Sequence, residues 1–220
     1  MPAHLAERGF SECIFRHAAD QCDAVAEVRE CDRDVGFCAT NMHIEVWRLQ
    51  QQFAHLINNA GTIRRNAALD FSEDDWDSVI DVNLKSAFFL CQAVARRWGA
   101  EKRGGKIINI ASMLSFQGGI RVASYTASKS GLLGITRLLA NEWAARGINV
   151  NAIAPGYFAT NNTTALREDA VRNRTILERI PAARRGEPAD LGGAAVFLAS
   201  RASDYVHGAV LAVDGGWLAR

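Results

Sequence analysis

The sequence predicts an α/β fold in which one parallel sheet is covered by helices on both faces. Short apolar runs alternate with longer helical patterns over the second part of the chain, and two of these runs, Lys106–Ala111 and Ile148–Ile153, directly follow glycine. Strands that alternate with helices pair in parallel, because each helical crossover returns the chain to the same edge of the sheet. A chain of 220 residues is long enough for one such domain. We therefore predict a single domain with a doubly wound parallel sheet.

Composition excludes several classes of function. The formal net charge is +1, so no overall field attracts nucleic acid or a membrane surface. The odd number of five cysteines and the lack of a hydrophobic leader favour a reducing, cytoplasmic setting. These cysteines and the histidines show neither CxxC nor HxxxH spacing, so no metal site is predicted. No apolar stretch reaches the ~18–20 residues of a membrane span.

Residues 1–52 do not show the alternating pattern. Helical character is weak over residues 18–29, and residues 46–53 fit either a helix or the approach to a strand. Gly9 and Gly36 are the only glycines before Gly61, so a glycine-rich phosphate turn is missing. The sequence therefore divides into an atypical amino-terminal segment, 1–52, and a core, 53–220.

The core begins with a short buried strand and a long helical pattern. Phe53–Ile57 is the predicted strand, and it ends at Asn58–Gly61. Ser72, with an acidic residue three positions later, resembles the capping box that starts a helix, here extending to about Trp98. Asn83 interrupts this pattern, since asparagine is a poor helix former. Its side chain either bonds locally to the backbone or marks a kink directed at a site.

The remaining elements follow in order. A turn at residues 103–105 precedes the strand Lys106–Ala111, and the helix from Tyr125 to about Arg146 ends at Gly147. This helix carries a face of small residues that permits close packing of another helix or subunit: Ala127, Gly131 and Gly134. The carboxyl-terminal part is predicted to contain a strand end at Pro155-Gly156, a loop over 157–165, helices over 167–180 and 189–200, and a strand over 208–213.

Tyr125 and Lys129 form the clearest candidate for chemistry. They are one helical turn apart and share a face of the helix. An ammonium beside a phenol stabilises the phenolate, so we expect a pKa for Tyr125 below the ordinary value of ~10. Such a phenol exchanges a proton with an alcohol or ketone. Ser112, at the end of the preceding strand, is placed to hold the substrate oxygen.

Several motifs then coincide in one order and spacing. They are Asn58-Asn59-Ala60-Gly61, Asn83, Ser112, Tyr125-x-x-x-Lys129 and Pro155-Gly156. Over residues 53–220 the chain resembles the classical short-chain dehydrogenase/reductase family. The resemblance implies a Rossmann-like fold and NAD as cofactor, with NADP as the alternative.

The resemblance also implies a role for each matching residue. Tyr125 is the general acid/base, Lys129 lowers its pKa and bonds the nicotinamide ribose, and Ser112 holds the substrate oxygen. Asn83 positions a water that relays protons behind Lys129. The residues implied to contact the cofactor are Asn59, Ala60, Gly61, Tyr125, Lys129, Pro155, Gly156 and Thr160.

The loops and carboxyl terminus favour a small-molecule substrate of the sugar-acid class. The sugar-acid dehydrogenases of the family are resembled most in residues 107–125, 149–163 and 202–220. This resemblance implies a homotetramer. Gluconate 5-dehydrogenases and 3-oxoacyl reductases share the same catalytic residues and are the alternatives. A carboxylate calls for a guanidinium, and we rank Arg121 first and Arg64 and Arg65 second. Three residues of the loop could bond sugar hydroxyls or serve only the turn: Asn161, Asn162 and Thr163.

The amino terminus departs from the family. Three crossover units of ~30 residues each need about 90 residues before the strand at Phe53, and at least one unit is therefore missing. Residues 1–52 represent a shifted reading frame, a divergent cofactor turn, or a non-catalytic relative that acts as an oligomer subunit. Their cysteine-rich, patternless character favours the first. The residue that separates NAD from NADP belongs to this part of the family pattern.

Overall fold

The computed structural model of the chain describes residues 37–38, 54–160, 163 and 168–220. In this part the strands form one parallel sheet in the order β1-β2-β3-β4-β5. The fold is therefore the predicted Rossmann-like α/β class. The helical patterns at 18–29 and 46–53 lie outside the described residues. The strands are β1 (Phe37–Cys38), β2 (His55–Asn58), β3 (Gly105–Ile110), β4 (Ile148–Pro155) and β5 (Val210–Val213).

The helices follow the predicted order, with shifted ends. The α-helices of the described part are α1 (Glu73–Ile80), α2 (Ser86–Ala100), α3 (Ala123–Trp143), α4 (Ala170–Arg179) and α5 (Gly192–Ala199). Ser72 caps α1 as predicted, its Oγ accepting from the Asp75 amide at 3.2 Å. Gly147 ends the segment after α3 in the left-handed conformation, with φ of 71°. The predicted strand, Ile148–Ile153, extends two residues further in the structure, because β4 ends at Pro155, and a proline is tolerated at the end of a strand.

Both faces of the sheet are buried by helices. Successive residues of each strand point to opposite sides, so each strand contributes side chains to both faces. One face packs against α2 and α3, through the contacts of Leu56, Ile107 and Val150 with Cys91, Trp98 and Leu139. The other face packs against α5, through the contacts of Ile57, Ile108 and Ile153 with Ala195 and Leu198. This arrangement explains why the strands read as continuous apolar runs in the sequence.

A π-helical turn, Asp81–Lys85, joins α1 to α2 into one run, Glu73–Ala100. Within the described residues, this run is the one helix long and apolar enough to cross a membrane, although the sequence prediction excluded a spanning segment. Its Cys91 and Trp98 are fully buried in the cluster that packs against the sheet. These contacts are those of a helix that covers the core.

The carboxyl ends of the central strands meet at one edge of the sheet. Asn58 pairs with Asn109, and Ile110 pairs with Ile153. The segments that leave β2, β3 and β4 therefore emerge side by side, and in open α/β sheets this edge is where ligands bind.

Candidate active site

Ser112, Tyr125 and Lys129 lie together at this edge. Ser112 begins the turn after β3, where its Oγ accepts from the Leu114 amide at 3.2 Å. Tyr125, in the first turn of α3, is hydrogen-bonded to Ser112, and the Lys129 Nζ is 5.6 Å from the centre of the tyrosine ring. Three of the four residues predicted for catalysis are thus grouped so that one carbonyl oxygen can face both hydroxyls.

The protonation states differ from the sequence prediction. Burial raises the pKa of Tyr125, while the hydrogen bond with Ser112 and the charge of Arg65 oppose that rise. The predicted fall below the ordinary value is therefore wrong for this structure, because the loss of hydration outweighs the nearby cations. Burial also lowers the pKa of Lys129 to about 8. Its Nζ donates to the carbonyl of Ile110 at 2.7 Å.

Asn83 occupies the π-helical turn and fastens two segments together. Its Oδ1 accepts from the Thr62 amide at 2.8 Å, and its Nδ2 donates to the Thr62 carbonyl at 2.9 Å. The same Nδ2 donates to Ser128 Oγ at 3.1 Å. The side chain therefore holds the loop after Gly61 against α3. Asn83 lies in a widened helical turn, in agreement with the interpretation that it marks a kink. Its hydrogen-bond partners are distant in sequence, in contrast to the interpretation that it bonds locally to the backbone.

The two glycines of the predicted cofactor edge differ in how closely their neighbours approach. A Cβ on Gly61 would lie 3.5 Å from Asn83 Oδ1 and 3.7 Å from Lys129 Nζ, so the Asn59–Gly61 turn passes directly beside the lysine. A Cβ on Gly156 would lie 2.5 Å from the Asp214 Cα, closer than such atoms approach. The Gly156 amide donates to the Val213 carbonyl at 2.9 Å. Only glycine fits where the chain leaves β4.

Of the three arginines considered for the carboxylate, Arg65 is the one whose charge acts on Tyr125. Arg64 is directed to helix α1, since its Nε is 3.4 Å from Asp75 Oδ1. Arg121 is exposed, with a left-handed φ of 63°. Its carbonyl accepts from the Asn66 amide at 3.1 Å. This bond ties the loop of Arg65 to the segment that leads into Tyr125.

The loop after β4 is stabilised by its own hydroxyl groups. Thr163 Oγ1 donates to the Phe158 carbonyl at 2.6 Å and lies 3.0 Å from the Thr160 carbonyl. Thr160 is half-buried, and its amide donates to the Phe158 carbonyl at 3.0 Å. For Thr163 these bonds favour the turn interpretation. Asn161 and Asn162 lie outside the described residues.

A buried polar chain behind the site was not anticipated from the sequence. Asn58 Nδ2 donates to Asn109 Oδ1 at 2.7 Å and to Cys91 Sγ at 3.2 Å. Asn109 Nδ2 in turn donates to Thr136 Oγ1 at 2.9 Å. These bonds link β2, β3 and α3 inside the apolar core. Asparagines within the apolar strand runs were the sequence signal for this network.

A second feature missing from the sequence interpretation is the contact between Gln117 and Trp217. The indole Nε1 donates to Gln117 Oε1 at 3.2 Å, a contact between residues 100 positions apart in the sequence. No group of three or more potential metal ligands occurs among the residues that the structure describes. The site thus consists of hydroxyls, amides, one lysine and nearby arginines, a set suited to proton transfer and anion binding.

The sequence is similar to a known protein family and to several of its members. A family model described as enoyl-(acyl carrier protein) reductase matches residues 12–218. The 2-dehydro-3-deoxy-D-gluconate 5-dehydrogenase of Escherichia coli (strain K12) is 66% identical over 176 residues, which are 79% of this chain and 70% of that protein. The protein of the same name from Dickeya dadantii (strain 3937) is 68% identical over 165 residues, 75% of this chain and 65% of that protein. The chain spans about two thirds of the length of these relatives.

Solved structures of the same group share the fold. A protein assigned as a 2-deoxy-D-gluconate 3-dehydrogenase from Agrobacterium tumefaciens, with bound NADP, is 68% identical; it superimposes with a TM-score of 0.75 over 76% of this chain and 68% of its own. A gluconate 5-dehydrogenase from Burkholderia cenocepacia J2315, in complex with NADP and tartrate, is 42% identical with a TM-score of 0.76, over 79% of this chain and 68% of its own.

Proposed function

The chain belongs to the short-chain dehydrogenase/reductase family, and from that premise we propose that it interconverts a hydroxyl and a ketone on a sugar acid with NAD or NADP. The observation that carries the proposal is the hydrogen bond between Tyr125 and Ser112 with Lys129 beside the ring. The sugar acid is taken from the relatives named 2-dehydro-3-deoxy-D-gluconate 5-dehydrogenase, and it would place the chain in pectin and uronate breakdown.

In the direction of reduction, Tyr125 gives its proton to the ketone oxygen, and in oxidation it takes the proton of the alcohol. Ser112 donates a hydrogen bond to the same oxygen and fixes its position next to the phenol. The nicotinamide supplies or accepts the hydride when it is bound. Lys129 keeps a positive charge at neutral pH, since its pKa is about 8. Its ammonium therefore favours the transient phenolate.

The residues present fit a nicotinamide cofactor. Gly156 lets the chain pass close to Asp214 at the end of β4, and the Lys129 Nζ lies between the Gly61 turn and the tyrosine. In our proposal Asn59, Ala60 and Gly61 line the adenosine half, Pro155, Gly156 and Thr160 the nicotinamide half, and Lys129 binds the ribose. We also propose that Asn83 positions a relay water, which the backbone of its π-helical turn would bind.

For the substrate carboxylate we propose Arg65 first and Arg121 second. Arg65 is supported because its charge acts on Tyr125. Removing one charge-assisted bond to an anion costs about 1.5–3 kcal/mol. Arg65→Gln should therefore raise the KM for the sugar acid by about 10- to 100-fold with cofactor affinity unchanged. Arg64→Gln is the matched control, and equal effects of both substitutions would exclude Arg65 from this role.

Self-association is the proposed assembly, with a homotetramer as the expected state. Phe89 of α2 is 54% exposed and Leu138 of α3 is 48% exposed, while the space above Gly134 is open. These features suit a second copy packed against the same helices. Light scattering of the purified chain tests the proposal, and a monomer at micromolar concentration would refute it. The thiol of Cys91, buried without a disulfide, supports the proposed cytoplasmic setting.

A substrate panel tests the proposed reaction. The full chain is assayed with NADH and NADPH against a keto sugar acid, its neutral sugar counterpart and a 3-oxoacyl thioester. Turnover of the keto sugar acid alone is expected, because the neutral sugar offers nothing to Arg65. Preference for the thioester would replace the proposal with an acyl reductase. Absence of heat on titration of millimolar NAD and NADP would instead identify a non-catalytic relative.

A further inference from the structure

Trp217, close to the carboxyl terminus, is buried at the meeting point of three segments of the active-site edge. It is 4% exposed and belongs to a cluster with Met113, Ile176 and Ile180. Its ring also meets Tyr157 edge to face at 4.7 Å. Met113 follows Ser112, Tyr157 follows Gly156, and the two isoleucines belong to α4 and its end. The cluster therefore joins the segments after β3, β4 and β5.

A polar contact accompanies this apolar cluster. Gln117 Oε1 accepts from Trp217 Nε1 at 3.2 Å and from Arg179 Nη2 at 3.5 Å. The Arg179 guanidinium carbon lies 3.9 Å from the centre of the Trp217 ring. Gln117 is on the turn that begins at Ser112, where its amide donates to the Met113 carbonyl at 3.2 Å. One amide oxygen thus connects the Ser112 turn, the carboxyl terminus and α4.

The carboxyl-terminal turn is itself firmly placed. Asp214 accepts from the Gly216 and Leu218 amides with its two carboxylate oxygens, both at 2.9 Å. The Gly215 carbonyl accepts from the Ala182 amide at 3.0 Å, just beyond α4. Trp217 is therefore held by a turn that directly follows β5 and is thereby attached to the sheet. A side chain fixed in this way can define the position of a more weakly held element.

Helix α4 is such an element. It has 10 residues, and Ile176 is the one buried residue among them. A helix of this length is not stable by itself and depends on tertiary contacts. Its described contacts with other segments include hydrogen bonds from Arg185 to Asn173 and from Arg220 to the Glu178 carbonyl. Its apolar and cation–π contacts run through Ile176, Ile180 and Arg179, all of which meet Trp217 or its immediate cluster.

We propose that Gln117 and Trp217 are positioning residues, which hold α4 in register with Ser112 and so form the substrate side of the active site. They act through Ser112 and α4, and they do not touch the reacting atoms. Neither Gln117 nor Trp217 is among the residues proposed to contact the cofactor, at either its adenosine or its nicotinamide half. The contact should therefore govern affinity for the substrate and leave affinity for the cofactor unchanged. The kinetic part of this inference rests on the proposed function.

The test compares Gln117→Leu, Trp217→Phe and the double variant in the full chain. Hydrogen exchange of the amides in 113–117 and 170–179 should accelerate about five- to tenfold in each single variant, the factor expected for one hydrogen bond of ordinary strength. Because both substitutions remove the same bond, the double variant should be no faster than the more affected single one. Gln117→Glu keeps the acceptor and should exchange as the unaltered chain does. Trp143→Phe, an indole loss on α3 outside this cluster, is the control.

Kinetics add a readout that a purely structural role would not change. Both single variants should raise the KM for the keto sugar acid about five- to tenfold, while kcat changes less than twofold and the cofactor dissociation constant stays the same. Unaltered exchange in 170–179, or additive effects in the double variant, would overturn the proposal even if the chain shows no turnover. Changed exchange with an unchanged KM would reduce the contact to a purely structural one.

Discussion

Lys129→Met should raise the free energy of unfolding at neutral pH and remove part of the dependence of that free energy on pH. The lysine is 4% exposed, and burial lowers its pKa from 10.5 to about 8. At about 1.4 kcal/mol per pKa unit, keeping the buried ammonium charged at pH 7 costs about 3 kcal/mol. The substitution removes this cost but also a hydrogen bond to Ile110 worth about 1 kcal/mol. A gain of about 2 kcal/mol in the free energy of unfolding is expected.

The sign of the pH dependence follows from proton binding. Between the folded pKa of about 8 and the unfolded value of 10.5, the unfolded chain holds a proton that the native chain has released. The stability of the unaltered protein therefore rises with pH in that window, and the cost is fully present below about pH 8. From pH 7 to pH 9 the stability advantage of Lys129→Met should shrink by about 1 kcal/mol.

Urea unfolding at pH 7, 8 and 9 measures this difference, with Lys85→Met as the control, since Lys85 is an exposed lysine paired with Asp81. The comparison stops at pH 9 because the pKa of Cys91 is raised by burial to about 12. Above pH 9 the unfolded thiol therefore loses a proton that the native thiol keeps, and stability falls for an unrelated reason. A stability difference that stays constant from pH 7 to 9 would refute a lowered pKa for Lys129.

Three further outcomes are expected. Asn83→Leu should destabilise the fold by about 3 kcal/mol and weaken cofactor binding, because the Thr62 loop loses its two bonds to the Asn83 side chain. Urea unfolding and cofactor titration measure these two effects, and unchanged cofactor affinity would contradict the role of this loop. Gly156→Ala should lower stability by about 1–3 kcal/mol, because its Cβ would meet Asp214 at 2.5 Å, whereas an unchanged melting temperature would show that the turn adapts. Cys91 should resist alkylation at pH 8 until the protein unfolds, since burial raises its pKa to about 12, and modification of the folded chain at the rate of a free thiol would contradict this assignment.

Much of the fold followed from local pattern. Tyr125 and Lys129 share a face because helical periodicity is a property of the backbone, and the cap at Ser72 needs only residues three apart. Gly147 ends its segment because only glycine takes a left-handed φ without strain. The end of β4 was placed two residues early because proline, which has no N–H to donate, is nevertheless accommodated as the last residue of the strand.

The remaining features depend on contacts between distant residues. The pKa of Tyr125 was predicted in the wrong direction, because its neighbour Lys129 is visible in the sequence and the burial of both groups is not. The influence of Arg65 on Tyr125 depends on the fold, whereas the choice of Arg121 rested on its place in the loop between Ser112 and Tyr125. Both arginines stay proposals for the substrate carboxylate. Gln117 and Trp217 are separated by most of the catalytic core, and no periodicity connects them.

The central claim is that Tyr125 transfers the proton in a nicotinamide-dependent reaction of a keto sugar acid. Its most direct test is the turnover number of Tyr125→Phe at saturating cofactor and substrate, measured by the absorbance of reduced nicotinamide. Loss of a general acid lowers the rate by about 10²–10⁴, so a fall of at least 100-fold is expected, with the melting temperature retained. Turnover equal to that of the unaltered chain would contradict the claim.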